Sequence, residues 1–81
     1  MAAPQTEAKF FTILSSMLGV PREQLDGDSS SETLEQWDSL NHMHLVLALE
    51  EGFGIEFDDD EISDLLSADA LLNAIASRVD A

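Results

Sequence analysis

The chain is 81 residues long and 44% hydrophobic, with 17 acidic side chains against three basic ones and a formal net charge of −14. That length holds one domain, residues 1–81, with a core near the lower limit for independent folding, and the apolar content is too high for a disordered acidic tail. The negative field repels phosphates, which excludes nucleic acids and anionic membranes as partners and favours proteins with basic docking patches.

Glu7 to Leu18 is predicted as the first helix. Phe10, Phe11, Ile13, Leu14, Met17 and Leu18 recur at spacings of three and four and share one broad face. Thr6 is the expected N-cap, with Gly19 and Pro21 just past the end, where helix breakers belong. From Gly19 to Asp38 the pattern breaks. GVPREQL has room for a short helical turn with Val20 and Leu25 pointing inward. DGDSSSETLEQ reads as loop, because small polar side chains compete for backbone hydrogen bonds. A connection this long in so small a domain is functional or packs on the core, and Leu34 and Trp37 are its expected anchors.

The second helix is predicted from Ser39 to about Glu51, with Asp38 as N-cap because its carboxylate can accept a first-turn N–H. Leu45, Val46, Leu49 and Phe53 form one apolar stripe, and Leu40, Met43 and Leu47 form another. Together they are wider than one core stripe requires. Gly52 and Gly54 are expected to end this helix and lead into the extended GIEF. The segment DDDEISDLLSADALLNAIASRV then splits into two helical pieces. Asp58 to Asp60 cap the first, which carries Ile62, Leu65 and Leu66. Ser67 caps the second, Ala68 to Val79, which is expected to bury Leu71, Leu72, Ile75 and Val79 and to place Arg78 favourably in its last turn. The predicted fold is therefore all-α, a small bundle of three main helices plus a short minor helix.

Candidate chemistry is sparse. Without cysteine there is no disulfide, thiolate metal site or thiol nucleophile. DGDSSSETLEQW places serine where a calcium loop needs glycine and tryptophan where it needs glutamate, and DDDEISDLLSAD also lacks the central glycine. Ser39 and His42, three residues apart, could meet on one helix face, but a hydrolytic dyad also needs an orienting group and an oxyanion hole. His42 and His44 are read as half-exposed helix residues that point to different sides, which argues against a zinc pair. A further possibility is that Ser39 is itself modified. A phosphate ester there would meet unpaired backbone N–H groups and the positive end of the helix dipole. The first ten residues, MAAPQTEAKF, do not form a secretory signal, and no apolar run approaches the ~18 residues of a membrane span, so a cytoplasmic monomer is expected.

Asp38-Ser39-Leu40 at a helix start is followed by LVLALEEGFGIEF, preceded by LGV at Leu18 to Val20, and succeeded by the acidic DDDEI. In these motifs and their order the sequence resembles the acyl carrier proteins over essentially its whole length. The resemblance implies that Ser39 carries 4′-phosphopantetheine, transferred from coenzyme A by a separate Mg²⁺-dependent phosphopantetheinyl transferase. It implies that Asp38 helps to hold the transferase's Mg²⁺ and that Leu40 lies in an apolar patch the transferase reads. The thiol missing from the chain would then come from the arm, and the protein would be a non-catalytic carrier of acyl or aminoacyl groups. Tethering of this kind raises effective concentration at each partner's active site.

The resemblance also implies docking to acyl-loading and acyl-processing enzymes with basic patches through Leu40, Met43, Leu47, Glu50, Glu51 and Ile62. Plain core packing is the competing reading of Leu40, Met43 and Leu47. Asn41 and His44 stand where the better-known fatty-acid carriers often have acids, and Trp37 where a small residue is common. Those departures point to a dedicated carrier in a specialised pathway, polyketide-like or another acyl-transfer route. The alternative function is an acidic helical adaptor without a prosthetic group.

Overall fold

The computed structural model describes residues 3–80. In chain order these form α1 (Pro4–Leu18), a 3₁₀ turn (Arg22–Gln24), α2 (Ser39–Phe53), the short α3 (Asp59–Asp64) and α4 (Ala68–Val79). This is the expected bundle of three long helices and one minor one, and no helix among the described residues is long and apolar enough to cross a membrane.

The first helix starts earlier than its periodicity suggests. Pro4 occupies its first turn, where a missing N–H costs nothing because that position has no intrahelical acceptor. Thr6 is not the N-cap. It is buried, and its hydroxyl donates to Asp80 Oδ1 at 3.1 Å while Ala3 N–H donates to Asp80 Oδ2 at 3.0 Å. A carboxylate from the far end of the chain thus supplies the cap that sequence-local reasoning assigned to Thr6. At the other end Gly19 adopts φ 67°, a left-handed conformation that closes the helix with little strain.

The core is built from the expected faces. Phe10, Phe11 and Leu14 of α1 meet Leu45, Val46 and Leu49 of α2 and Leu71, Leu72 and Ile75 of α4. Fully burying each such side chain contributes about 1.5–3 kcal/mol before conformational entropy is set against it. Val20 and Leu25 join from the long connection as predicted. Phe53 packs only at the edge of the core, and Val79 is exposed rather than buried, because α4 ends where Asp80 turns back to α1. α2 runs through Gly52, where a Cβ would come within 2.9 Å of the Ile13 side chain of α1. Gly52 thus leaves room for the end of the Ile13 side chain between α1 and α2, and Gly54 at φ 65° ends the helix.

Side chains organise the long connection. Asp26 and Ser29 close one turn, and Ser30 and Thr33 close the next. The loop is also stitched to the α3–α4 junction: Ala68 N–H donates to Ser29 O at 2.8 Å and Ser31 N–H donates to Leu66 O at 3.1 Å. These bonds hold residues 27–31 against the bundle and bring the chain back to the mouth of α2.

Candidate functional site

The site grows from the first turn of α2. Asp38 caps the helix as expected, its Oδ1 accepting Asn41 N–H at 2.8 Å. One residue outside the cap stands Trp37, and four residues inside stands His42, the pair of positions whose side chains fold over a helix start. Trp37 is 1% exposed and His42 6%. Trp37 Nε1–H donates to His42 Nδ1 at 3.0 Å, with the two rings edge to edge, their planes 25° apart and their centroids 6.2 Å apart. His42 Nε2 lies 2.9 Å from Ile62 O in α3. A carbonyl can only accept, so Nε2 carries the proton and Nδ1 is the bare acceptor.

This corrects the reading of His42 as half-exposed. The side chain is buried because both ring nitrogens find partners, which removes most of the desolvation cost of a buried imidazole. Both nitrogens are thereby occupied, so His42 is not free to act as a base toward Ser39. Spacing alone had paired His42 with Ser39; the missed signal was a tryptophan just before the cap with a hydrogen-bonding residue five positions on. His44 is exposed where a half-exposed position is expected, but it does face another side of the helix from His42.

Ser39, the first residue of α2, is exposed, and beside it opens a groove of about 760 Å³ between α2 and α3. Trp37, His42 and Met43 line one side, Ile62, Ser63 and Leu66 the other, with Asp38 and Asp59 at the rim. Leu40, Met43 and Leu47 are 66%, 47% and 58% exposed. They are not core residues. The outward stripe of α2 is exposed because no other described element of the bundle covers it.

The proposed docking residues fall into two groups. Leu40, Met43 and the half-buried Ile62 lie near Ser39, whereas Leu47, Glu50 and Glu51 border a second depression with Ile55 and Phe57. Glu50 is partly committed inside the molecule, its Oε2 accepting Phe57 N–H at 2.8 Å and holding the loop after α2. Glu61 is committed too. It accepts the Asp58 backbone N–H at 3.0 Å and pairs with Arg78 of α4. The bond from Asp58, then the Arg78 guanidinium, hold its carboxyl below the ordinary value of 4.5 against the opposing effect of desolvation. Glu51, Glu56, Asp58, Asp59 and Asp60 are exposed.

All three basic side chains turn back onto the protein. Lys9 lies 4.9 Å from the centre of the Phe53 ring, Arg22 lies 4.2 Å from that of Phe11, and Arg78 lies 4.9 Å from that of Phe57. Lys9 and Arg22 also donate to the carbonyls of Gly52 and Leu25. The few cations thus neutralise helix ends and loop carbonyls, and the acids that surround the groove keep their field.

An ester-linked anionic arm at Ser39 needs a reachable hydroxyl, donors for its phosphate and room to lie. The exposed Ser39, the first-turn N–H groups of Ser39 and Leu40, which have no acceptor within the helix, and the adjoining groove meet those needs. The fold is a small acidic helical bundle that presents one exposed serine at the mouth of its second long helix. The family model described as the phosphopantetheine attachment site matches residues 8–75. An acyl carrier protein of Guillardia theta is 34% identical over 71 residues, 88% of each chain. One from Nitratidesulfovibrio vulgaris (strain DSM 19637 / Miyazaki F) is 33% identical over 72 residues, covering 89% of this chain and 95% of the relative. The chain belongs to the acyl carrier protein family, whose members bear phosphopantetheine.

Proposed function

We propose that Ser39 is the residue that carries 4′-phosphopantetheine and that this single domain delivers acyl or aminoacyl groups to partner enzymes without turnover of its own. The observation that carries the reading is the exposed Ser39 hydroxyl at the mouth of α2, beside a groove, in a chain of this family. Once attached, the group supplies a terminal thiol able to hold acyl groups as thioesters.

The chain's own residues do the rest. Asp38 fixes the helix start, so that Ser39 is presented in one orientation while the rest of the carboxylate faces solvent for the transferase's Mg²⁺. The amides of the first turn favour the phosphodiester anion by about 0.3–1 kcal/mol, which helps to offset repulsion from so acidic a protein. Leu40, Met43 and Leu47 offer apolar contact to the transferase and to acyl-processing enzymes, and Glu51, Glu56 and Asp58 steer their basic patches. Asn41 and His44 leave α2 without an acid between Ser39 and Glu50, which favours partners of a specialised biosynthetic route over those that read acids there.

Incubation with coenzyme A and a phosphopantetheinyl transferase of broad specificity tests the assignment. The mass should rise by one arm, and Ser39→Ala should abolish the gain. A wild-type chain whose mass stays unchanged would instead support the adaptor reading.

A further inference from the structure

We propose that the hydrogen-bonded chain Trp37–His42–Ile62 bars cargo carried at Ser39 from the interior of the bundle and keeps it in the open groove, which suits the protein to short acyl groups. The inference rests on the assignment of Ser39 above and adds where the cargo lies and of what class it is.

The groove beside Ser39 has His42 on one wall and Ile62 on the other. The direct way inward from it passes between α2 and α3, where the bond from His42 Nε2 to Ile62 O at 2.9 Å spans the gap. Trp37 Nε1–H donates to Nδ1 from the opposite side of the same imidazole, so the ring cannot swing away without breaking both bonds. Behind it Leu45, Leu49, Leu71 and Ile75 are fully buried. An aliphatic chain entering here must separate His42 from Ile62, breaking a part-buried bond and loosening the buried one from Trp37. That makes entry about 10–100-fold less favourable than it would be without the bonds, which short cargo with few methylenes to bury cannot offset.

Cargo held outside stays in an open groove lined mainly by the apolar side chains of Trp37, Met43, Ile62 and Leu66, with Ser63 and the carboxylates of Asp38 and Asp59 beside them. Such a lining accommodates a few methylenes or a polar substituent. A long alkyl chain lying there would shelter one face and keep its outward face in water, whereas a short one exposes little apolar surface either way.

The test uses the full chain with labelled methyl groups, loaded from acetyl- and octanoyl-coenzyme A and checked by mass. Methyl resonances of Met43 and Ile62 should shift with either cargo, while those of Leu45, Leu49, Leu71 and Ile75 should remain in place. The Trp37 indole N–H, followed in the unloaded protein, should exchange with solvent at least about tenfold more slowly than a free indole. His42→Leu removes the bar, and octanoyl cargo should then move the core methyl resonances. If that variant does not fold, the wild-type comparison decides alone. Core shifts with octanoyl cargo in the wild type, or an unprotected indole N–H, overturn the confinement. A mass that never rises overturns the Ser39 assignment, and the confinement with it.

Discussion

The Trp37–His42 bond makes a prediction whose size can be worked out. Trp37→Phe removes the indole donor and leaves His42 Nδ1 buried without a partner, at a cost of about 1–3 kcal/mol. The smaller ring adds a gap in the packing worth roughly 1–2 kcal/mol. His42→Leu inverts the defect: the indole N–H is stranded at 1% residue exposure, again costing about 1–3 kcal/mol. Ile62 O loses its donor equally in this and the double variant and cancels from the comparison. In the double variant neither orphan exists. Its destabilisation should therefore fall short of the sum of the single changes by about 2–6 kcal/mol, the combined cost of the two orphans. Urea unfolding followed by far-ultraviolet circular dichroism reads all four proteins, including those without the only tryptophan. In thermal unfolding, each kcal/mol corresponds to a shift of about 4–8 °C for a domain of this size. Losses that add to within about 0.3–0.5 kcal/mol would mean the two rings pack but do not depend on each other, and the reasoning would fail.

Four other substitutions, at three positions, separate structural from functional roles. Asp38→Ala should lose about 1 kcal/mol with its cap, whereas Asp38→Asn should keep the stability yet slow loading by the transferase; equal loading rates would remove Asp38 from any metal role. For Glu61 the folded carboxyl titrates below its unfolded value, so its contribution is complete above pH about 4.5 and is lost as pH falls through the folded value. The stability gap between wild type and Glu61→Gln should accordingly close in acid, and a gap that persists there would contradict the assignment. Gly54→Ala should cost about 1–2 kcal/mol through backbone strain alone, since no atom lies within 4 Å of the added Cβ; a neutral change would show that the helix end relaxes.

Much of the bundle was legible because apolar spacing and caps agree locally. Asp38 and Ser67 stand immediately before their helices and bond into the first turn as a local rule expects. Thr6 shows where such rules stop. It has the right chemistry for a cap, but Asp80, distant in sequence, takes that role, and no window around Thr6 contains that information. His42 failed for the same reason, since its exposure depends on a carbonyl twenty residues away in α3. The loop from Gly19 to Asp38 announced its turns through Asp and Ser but not its pairing with the α3–α4 junction, which involves backbone groups common to every residue.

By itself the sequence determined the helices, the acidic surface, the lack of any thiol and the serine at the mouth of α2, because each depends on residue type and near neighbours. Only the tertiary structure decided that the outward stripe of α2 stays bare, that the three cations fold back onto phenylalanine rings, and that His42 ties α2 to α3. Those outcomes follow from which surfaces meet when distant segments pack, and one strand of residue types does not encode that distance.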